Sequence, residues 1–306
     1  MINAMRFNIS VFAVIFIVLT SVQAQAQKTC INDGYDRAFF DTLKQTNFMP
    51  IESVSDDSLS LLFAECLGNP DPTLRDGIAF EGLSSLLRQG RVSKPGIRQL
   101  FDKCAGFLRN EEDKDGFLHP FAALCMAEIA RTDRIKPHLS DEERANLTAI
   151  ATDYIKSITD YRGYDEIEGW RHGVAHSADV LMQLSLNDKI SADLQRQMLA
   201  AIATQVSPFK HFYNYGEPAR LARPVMFMAI QGLITEDEWT KWFADISKSE
   251  PEINSWNEAF SSLAGLAKRH NLTAFLSALH LNATSSDNKN VKALMPGLTA
   301  AIGDMP

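Results

Sequence analysis

Within residues 140–161 the apolar side chains Leu147, Ile150, Ala151, Tyr154, Ile155 and Ile158 recur at steps of three and four, which places them on one side of an α-helix. The same period runs through almost the whole chain, and no alternation of apolar and polar residues bounded by hairpin turns interrupts it. An all-α fold is the expectation. Ser140 with Glu143 and Thr235 with Glu238 carry the capping-box pattern, in which hydroxyl and carboxylate satisfy amides that the first turn leaves unpaired. Further helices are expected over residues 36–44, 58–67, 73–88, 96–108, 117–131, 170–186, 192–206, 219–231, 256–269 and 272–281. With 16 Gly and 12 Pro among 306 residues, and 45% of the chain hydrophobic, a low-complexity or disordered chain is excluded.

Short connections rich in Gly, Pro, Asn and Asp, such as residues 68–72 and 110–116, force neighbouring helices to run antiparallel. Stacked antiparallel hairpins with a period of about 40 to 50 residues would follow, the arrangement of a HEAT-like α-solenoid. One faint internal echo, residues 147–152 against 199–204, agrees with it. A closed α/α toroid has the same local pattern and remains the alternative.

Arg6, the unbroken apolar run from Val11 to Leu19 and the small residues around Ala24-Gln25-Ala26 have the layout of a secretory signal peptide. Cleavage is expected after Ala26, which leaves residues 27–306 as one helical domain, exported to a periplasm or secreted. Nine apolar residues fall short of the roughly 20 that a spanning helix needs, so no stable membrane span is expected after cleavage. Gln27-Lys28-Thr29 ahead of Cys30 lacks the small and apolar residues of a lipobox. An oxidising compartment would permit two bridges among Cys30, Cys66, Cys104 and Cys125, by any of three pairings; buried thiols are the other possibility. The formal charge of -8, with no clustered Lys or Arg, excludes nucleic acid as a partner.

Residues 161–183 hold the most unusual chemistry. On a helix opening at Trp170, His172, His176, Asp179 and Gln183 would lie at steps of four, three and four along one side. Two histidines so spaced could share a zinc ion, with Asp179 as third ligand or as the group orienting His176, although Gly173 stands where zinc peptidases need their glutamate. No other cofactor is suggested. Alternatively His176, oriented by Asp179, serves as an acid or base, or the stripe is a polar network joining helices. The preceding loop adds Asp165, Glu166 and Glu168 beside Arg162, Tyr164 and Trp170, and carboxylates flanked by aromatic rings suit a sugar-binding or glycosidase cleft. A second cluster at residues 211–223 combines His211, Tyr213, Asn214 and Tyr215 with Glu217, Arg220 and Arg223 on a helix start. No phosphate loop, nucleophile elbow or nucleotide fingerprint is present.

Arg162-Gly163-Tyr164, Gly169-Trp170 with His172, His176 and Asp179, Gly216-Glu217 with Arg220-Leu221-Ala222, and Asp71-Pro72 with Leu74-Arg75-Asp76 together resemble the domain-of-unknown-function family 2785, over roughly residues 57–242. The resemblance implies a helical, HEAT-like domain and brings no activity with it. It departs at His119-Pro120-Phe121-Ala122, where an Arg-Ser-Phe-Ser-like stretch is usual, and in the secretion signal, which many members lack. Two functions fit: an exported scaffold that binds a protein or glycan in a polar groove, or a secreted hydrolase, glycosidase-like or metal-dependent, centred on Asp165, Glu168, His172, His176 and Asp179. Either way His172, His176 and Asp179 are expected to line one side of a pocket completed by the 162–168 loop and by Glu217 or Arg220.

Overall fold

The computed structural model describes residues 30–31, 34–110 and 112–305. The expected leader at residues 1–26 lies outside them. The described helices are α1 (Arg37–Gln45), α2 (Asp56–Glu65) and α3 (Pro72–Leu74), which passes through a π-helical turn (Arg75–Phe80) into α4 (Glu81–Arg88). They continue with α5 (Lys94–Asn110), α6 (Leu118–Ile135), α7 (Asp141–Ser157), α8 (Gly173–Ser185) and α9 (Ala192–Val206). The chain finishes with α10 (Glu217–Gln231), α11 (Glu236–Ile246), α12 (Leu263–Thr284) and α13 (Met295–Gly303). Asp36, Ser55, Asp71, Ser191 and Ser262 each cap a helix by accepting from a first-turn amide, and both capping boxes form as expected.

The protein is all-α, and its helices pack in two rows. In one row α2, α4, α6, α8, α10 and α12 each lie against the next; in the other the same holds for α5, α7, α9, α11 and α13. Two alternating rows are common to stacked hairpins and to closed α/α toroids. One hydrophobic cluster fills the space between them, from Phe40 and Phe63 through Ile155 and Leu181 to Phe275 and Leu298. A polar hub sits inside it. Asp133 at the end of α6 accepts from Arg144 Nε at 2.7 Å, from Asn187 Nδ2 at 3.0 Å and from the His138 and Leu139 amides. Burial would raise its pKa, but Arg144 and the two amides outweigh burial and hold the carboxyl at about 2.

Four sequence expectations are corrected. A small antiparallel hairpin, β1 (Tyr164–Asp165) and β2 (Gly169–Trp170), stands where only helix and loop were expected. The helix expected at 170–186 opens at Gly173, because Gly169, at φ 76°, closes the hairpin turn instead of starting a helix. Residues 256–269 and 272–281 are a 3-10 turn (Trp256–Ser261) followed by the single helix α12. Asn271, in the gap between those two expected helices, is buried inside α12, and its side chain donates to the His211 carbonyl and accepts from the Tyr213 amide. The short apolar helix α13 was not foreseen.

Cys30 and Cys66 form a disulfide that fastens the start of the described chain to the end of α2, while Cys104 and Cys125 stay as buried thiols with their sulfurs 2.7 Å apart between α5 and α6. Burial pushes the Cys125 thiol pKa up, away from reactivity. Native protein should therefore take up no iodoacetamide, and protein unfolded without reductant should take up two equivalents, read by intact mass. Four equivalents in the unfolded, unreduced sample would contradict the Cys30–Cys66 bridge, and zero would contradict the free state of Cys104 and Cys125.

Candidate binding cleft

The hairpin organises the site. Its strands pair Tyr164 with Trp170 and Asp165 with Gly169, and the ladder continues with the Arg171 amide donating to the Gly163 carbonyl and the His172 amide to the Arg162 carbonyl. Asp165 is spent on the turn: its Oδ1 accepts from the Glu168 and Ile167 amides at 2.9 and 2.8 Å, which hold its pKa below the usual carboxylate range. Glu168 accepts from Arg171 at 2.8 Å. Gly163 permits a close approach, since a Cβ there would stand 2.0 Å from the Tyr215 ring.

Two guanidinium groups hold this hairpin from the protein side. Arg75, fully buried in the π-helical turn, donates to the carbonyls of Asn69, Pro70 and Glu168 and to Asp76, and lies 4.0 Å from the Phe117 ring centre. Arg171 donates to the Asp115 carbonyl and lies 4.1 Å from the same ring. Burial lowers the pKa of Arg75 and raises that of Asp76.

Next to the hairpin is a buried polar network. His172 is the residue before α8 and adopts φ 56°, ψ 41°, left-handed and costly for a residue with a side chain. Its ring stacks on Trp170 with centroids 4.7 Å apart and makes a backbone hydrogen bond with Tyr215. Nε2 faces Glu217 Oε1 at 3.7 Å, too far for a hydrogen bond, and has no partner. His176 packs edge-on to Phe121, bonds the Pro120 backbone and leaves Nδ1 unpartnered. Burial and nearby cations, Arg220 foremost for His172, depress the histidine pKa values to about 4 for His172 and about 3 for His176, so both rings are neutral at pH 7. Burial pushes Glu217 upward; its Oε2 accepts from the Tyr215 amide at 2.9 Å. Asp179 is also raised by burial, against the pull of Arg220, whose guanidinium it accepts as an ion pair. The bond expected between His176 and Asp179 is thus replaced by Arg220, whose charged fork reaches across from α10.

Open space lies along the 159–171 segment. An outer cavity of about 440 Å³ is lined by Tyr161, Tyr164, Tyr215 and His211 together with Asp160, Arg162, Asp165 and Asn214. Tyr161 stacks on His211 at 4.7 Å, and Tyr164 and Tyr215 flank the half-exposed Trp170 at 5.0 and 5.8 Å. Arg162 is locked onto Asp160, whose pKa stays low because that guanidinium and the Arg162 amide outweigh its burial. A smaller cavity of about 190 Å³ shares Thr159, Asp160 and Arg171 with the outer one.

Of the residues singled out by sequence, Arg162, Tyr164 and Asp165 line the outer cavity. Trp170 flanks it, while His172, His176, Asp179, Glu217 and Arg220 come together as the buried network and line neither cavity. The single pocket expected to contain both sets is instead a cleft lined by the first set beside a network formed by the second. Among the described residues no three His, Cys, Asp or Glu side chains are grouped to hold a metal ion. The cleft residues Asp113, His119, Tyr154 and Asp160 escaped the sequence reading. Tyr154 falls on the apolar stripe of α7, where only its polar hydroxyl among apolar neighbours marks it.

Fold and cleft define an all-α protein with an aromatic and polar recess beside a clamped hairpin. The chain belongs to the family described as protein of unknown function DUF2785, which matches residues 105–281. The match starts later and ends later than the 57–242 expected, and it leaves the residue 71–76 motif outside. No curated protein and no solved structure matches the chain. Among the described residues no helix is long and apolar enough to cross a membrane.

Proposed function

We propose that the chain is an exported helical module that binds a glycan in the cleft between the 159–171 segment and the 211–215 loop. The lining of the outer cavity carries this reading: aromatic faces interleaved with a carboxylate, a guanidinium and an amide. A sugar ring offers an apolar C–H face, which aromatic rings cover, edged by hydroxyls that both donate and accept. Asp160 and Arg162 hold each other in place, so little side-chain freedom is lost when a ligand arrives. Export is supported by the N-terminal pattern and agrees with the Cys30–Cys66 bridge.

Binding is favoured over hydrolysis on electrostatic grounds. A glycosidase needs one carboxyl kept protonated near neutral pH. The carboxylates lining the outer cavity, Asp160 and Asp165, are both held below the usual range, while carboxyls that burial raises, Asp76, Asp179 and Glu217, line neither cavity.

Calorimetric titration with four-unit cello-, xylo-, manno-, malto- and chito-oligosaccharides tests this reading. One class should bind and be recovered uncleaved. Tyr161→Ala and Tyr215→Ala should each weaken it about tenfold, equivalent to about 1.4 kcal/mol, with unchanged helical circular dichroism. A folded protein that binds none of the five would refute the proposal.

A further inference from the structure

One wall of the smaller cavity carries a tyrosine hydroxyl. Tyr154, on α7, is only 8% exposed and borders the cavity, yet its hydroxyl makes no hydrogen bond among the described residues. The ring is buried while the hydroxyl keeps access to the cavity, where it can exchange water for a ligand's hydroxyl. Gly173 adjoins it on α8; a Cβ there would come within 3.2 Å of the Tyr154 oxygen and narrow the space in front of it. The charged walls are already fixed by the protein. Asp113 accepts from the Gly116, Phe117 and His119 amides, Asp160 is held by Arg162, and Arg171 is held by Asp115 and Glu168. Tyr154 is therefore a donor and acceptor with a free hand, set among rigid carboxylates and a guanidinium.

The two cavities share Thr159, Asp160 and Arg171 and so adjoin, and a ligand reaching past those three residues would occupy both. The inner space, about 190 Å³ against about 440 Å³, is bounded by Pro120, Tyr154, Ile158 and Gly173. We propose that it is a subsite for the terminal sugar unit of the bound glycan, with the Tyr154 hydroxyl hydrogen-bonded to one of that unit's hydroxyls. This deepens the glycan reading given above and rests on it. Such a site recognises chain ends: a unit in the middle of a polymer, substituted on both sides, would have to run through the wall that Tyr154 and Pro120 form.

The probe is the four-unit oligosaccharide that binds in the titration above, compared with two derivatives, one methylated on its non-reducing terminal unit and one reduced to the alditol at the other end. One of the two modifications should weaken binding at least tenfold and the other should leave it nearly unchanged. Tyr154→Phe should weaken the unmodified probe about tenfold and reduce the difference between the derivatives, with a melting temperature no lower than that of the wild type. Gly173→Ala should act in the same direction. If both derivatives bind like the parent, or if Tyr154→Phe binds like the wild type while Tyr215→Ala still fails, the glycan reading stands and end recognition is overturned. Absence of binding by every oligosaccharide overturns both.

Discussion

Arg75→Met should melt about 10 °C below the wild type, the response expected for a loss of about 3–5 kcal/mol in a domain of this size. Methionine fills much of the space left by the arginine stem but supplies no donor. Three carbonyls, those of Asn69, Pro70 and Glu168, would lose their partner in a buried site, and Phe117 would lose one of its two cations. Arg75→Lys should recover only part of the loss, since one ammonium cannot span three carbonyls and Asp76 as the fork does. The hairpin should loosen first. Hydrogen exchange of the Arg171 and His172 amides, which close its ladder, should accelerate more than exchange in the cores of α9 or α12. A melting temperature within about 1 °C of wild type would show that the buried guanidinium is dispensable.

Little of this was legible beforehand, and the reason is physical. The helices announced themselves because period and caps are local: Ser140 with Glu143 and Thr235 with Glu238 formed their boxes as written, and the stripe from Leu147 to Ile155 is buried as its spacing required. Residues 170–172 misled because the chain there answers to partners far away. Gly169 turns a hairpin closed by Asp165, and His172 holds a left-handed backbone under Trp170 and beside Tyr215, none of which the 3.6-residue period encodes. Arg75 did leave a trace, a basic residue three and four positions ahead of the buried Ile78 and Ala79, hence on an apolar face. The π-helical turn that carries it left none.

Stability should fall as pH drops from about 6.5 toward 4, before most carboxylates titrate. His176 has a folded pKa of about 3 and His172 of about 4, both below the ordinary 6.5. Between those limits the unfolded chain binds protons that the folded chain refuses, so the histidine contribution is complete above about 6.5 and is lost on acidification. For His176 the slope is about 1.4 kcal/mol per pH unit. Burial also lowers His138 and His211, and they act in the same direction. Asp76, Glu217 and Asp179 act oppositely, because their raised folded pKa values let the native state take up protons first. Asp133, at about 2, contributes its own loss only below about 3.8. His176→Phe keeps a ring against Phe121 and removes the titration. Urea midpoints measured from pH 7 to 4.5 should therefore decline visibly less in that variant than in the wild type. Parallel curves would mean that His176 takes up protons in the fold as readily as it does unfolded.

Arg75 and the residue 69–70 carbonyls it gathers lie ahead of residue 105, where the family match begins, whereas Glu168 and the cleft lie inside it. The stretch that defines kinship and the body that sets the cleft's spacing are therefore not the same stretch. Transplanting residues 105–281 alone onto another carrier would move every side chain of the recess and leave behind the fastener that tensions its hairpin. Engineering of this recess, whether to change its ligand or to immobilise it, has to treat the first three described helices and the π-helical turn as part of the instrument.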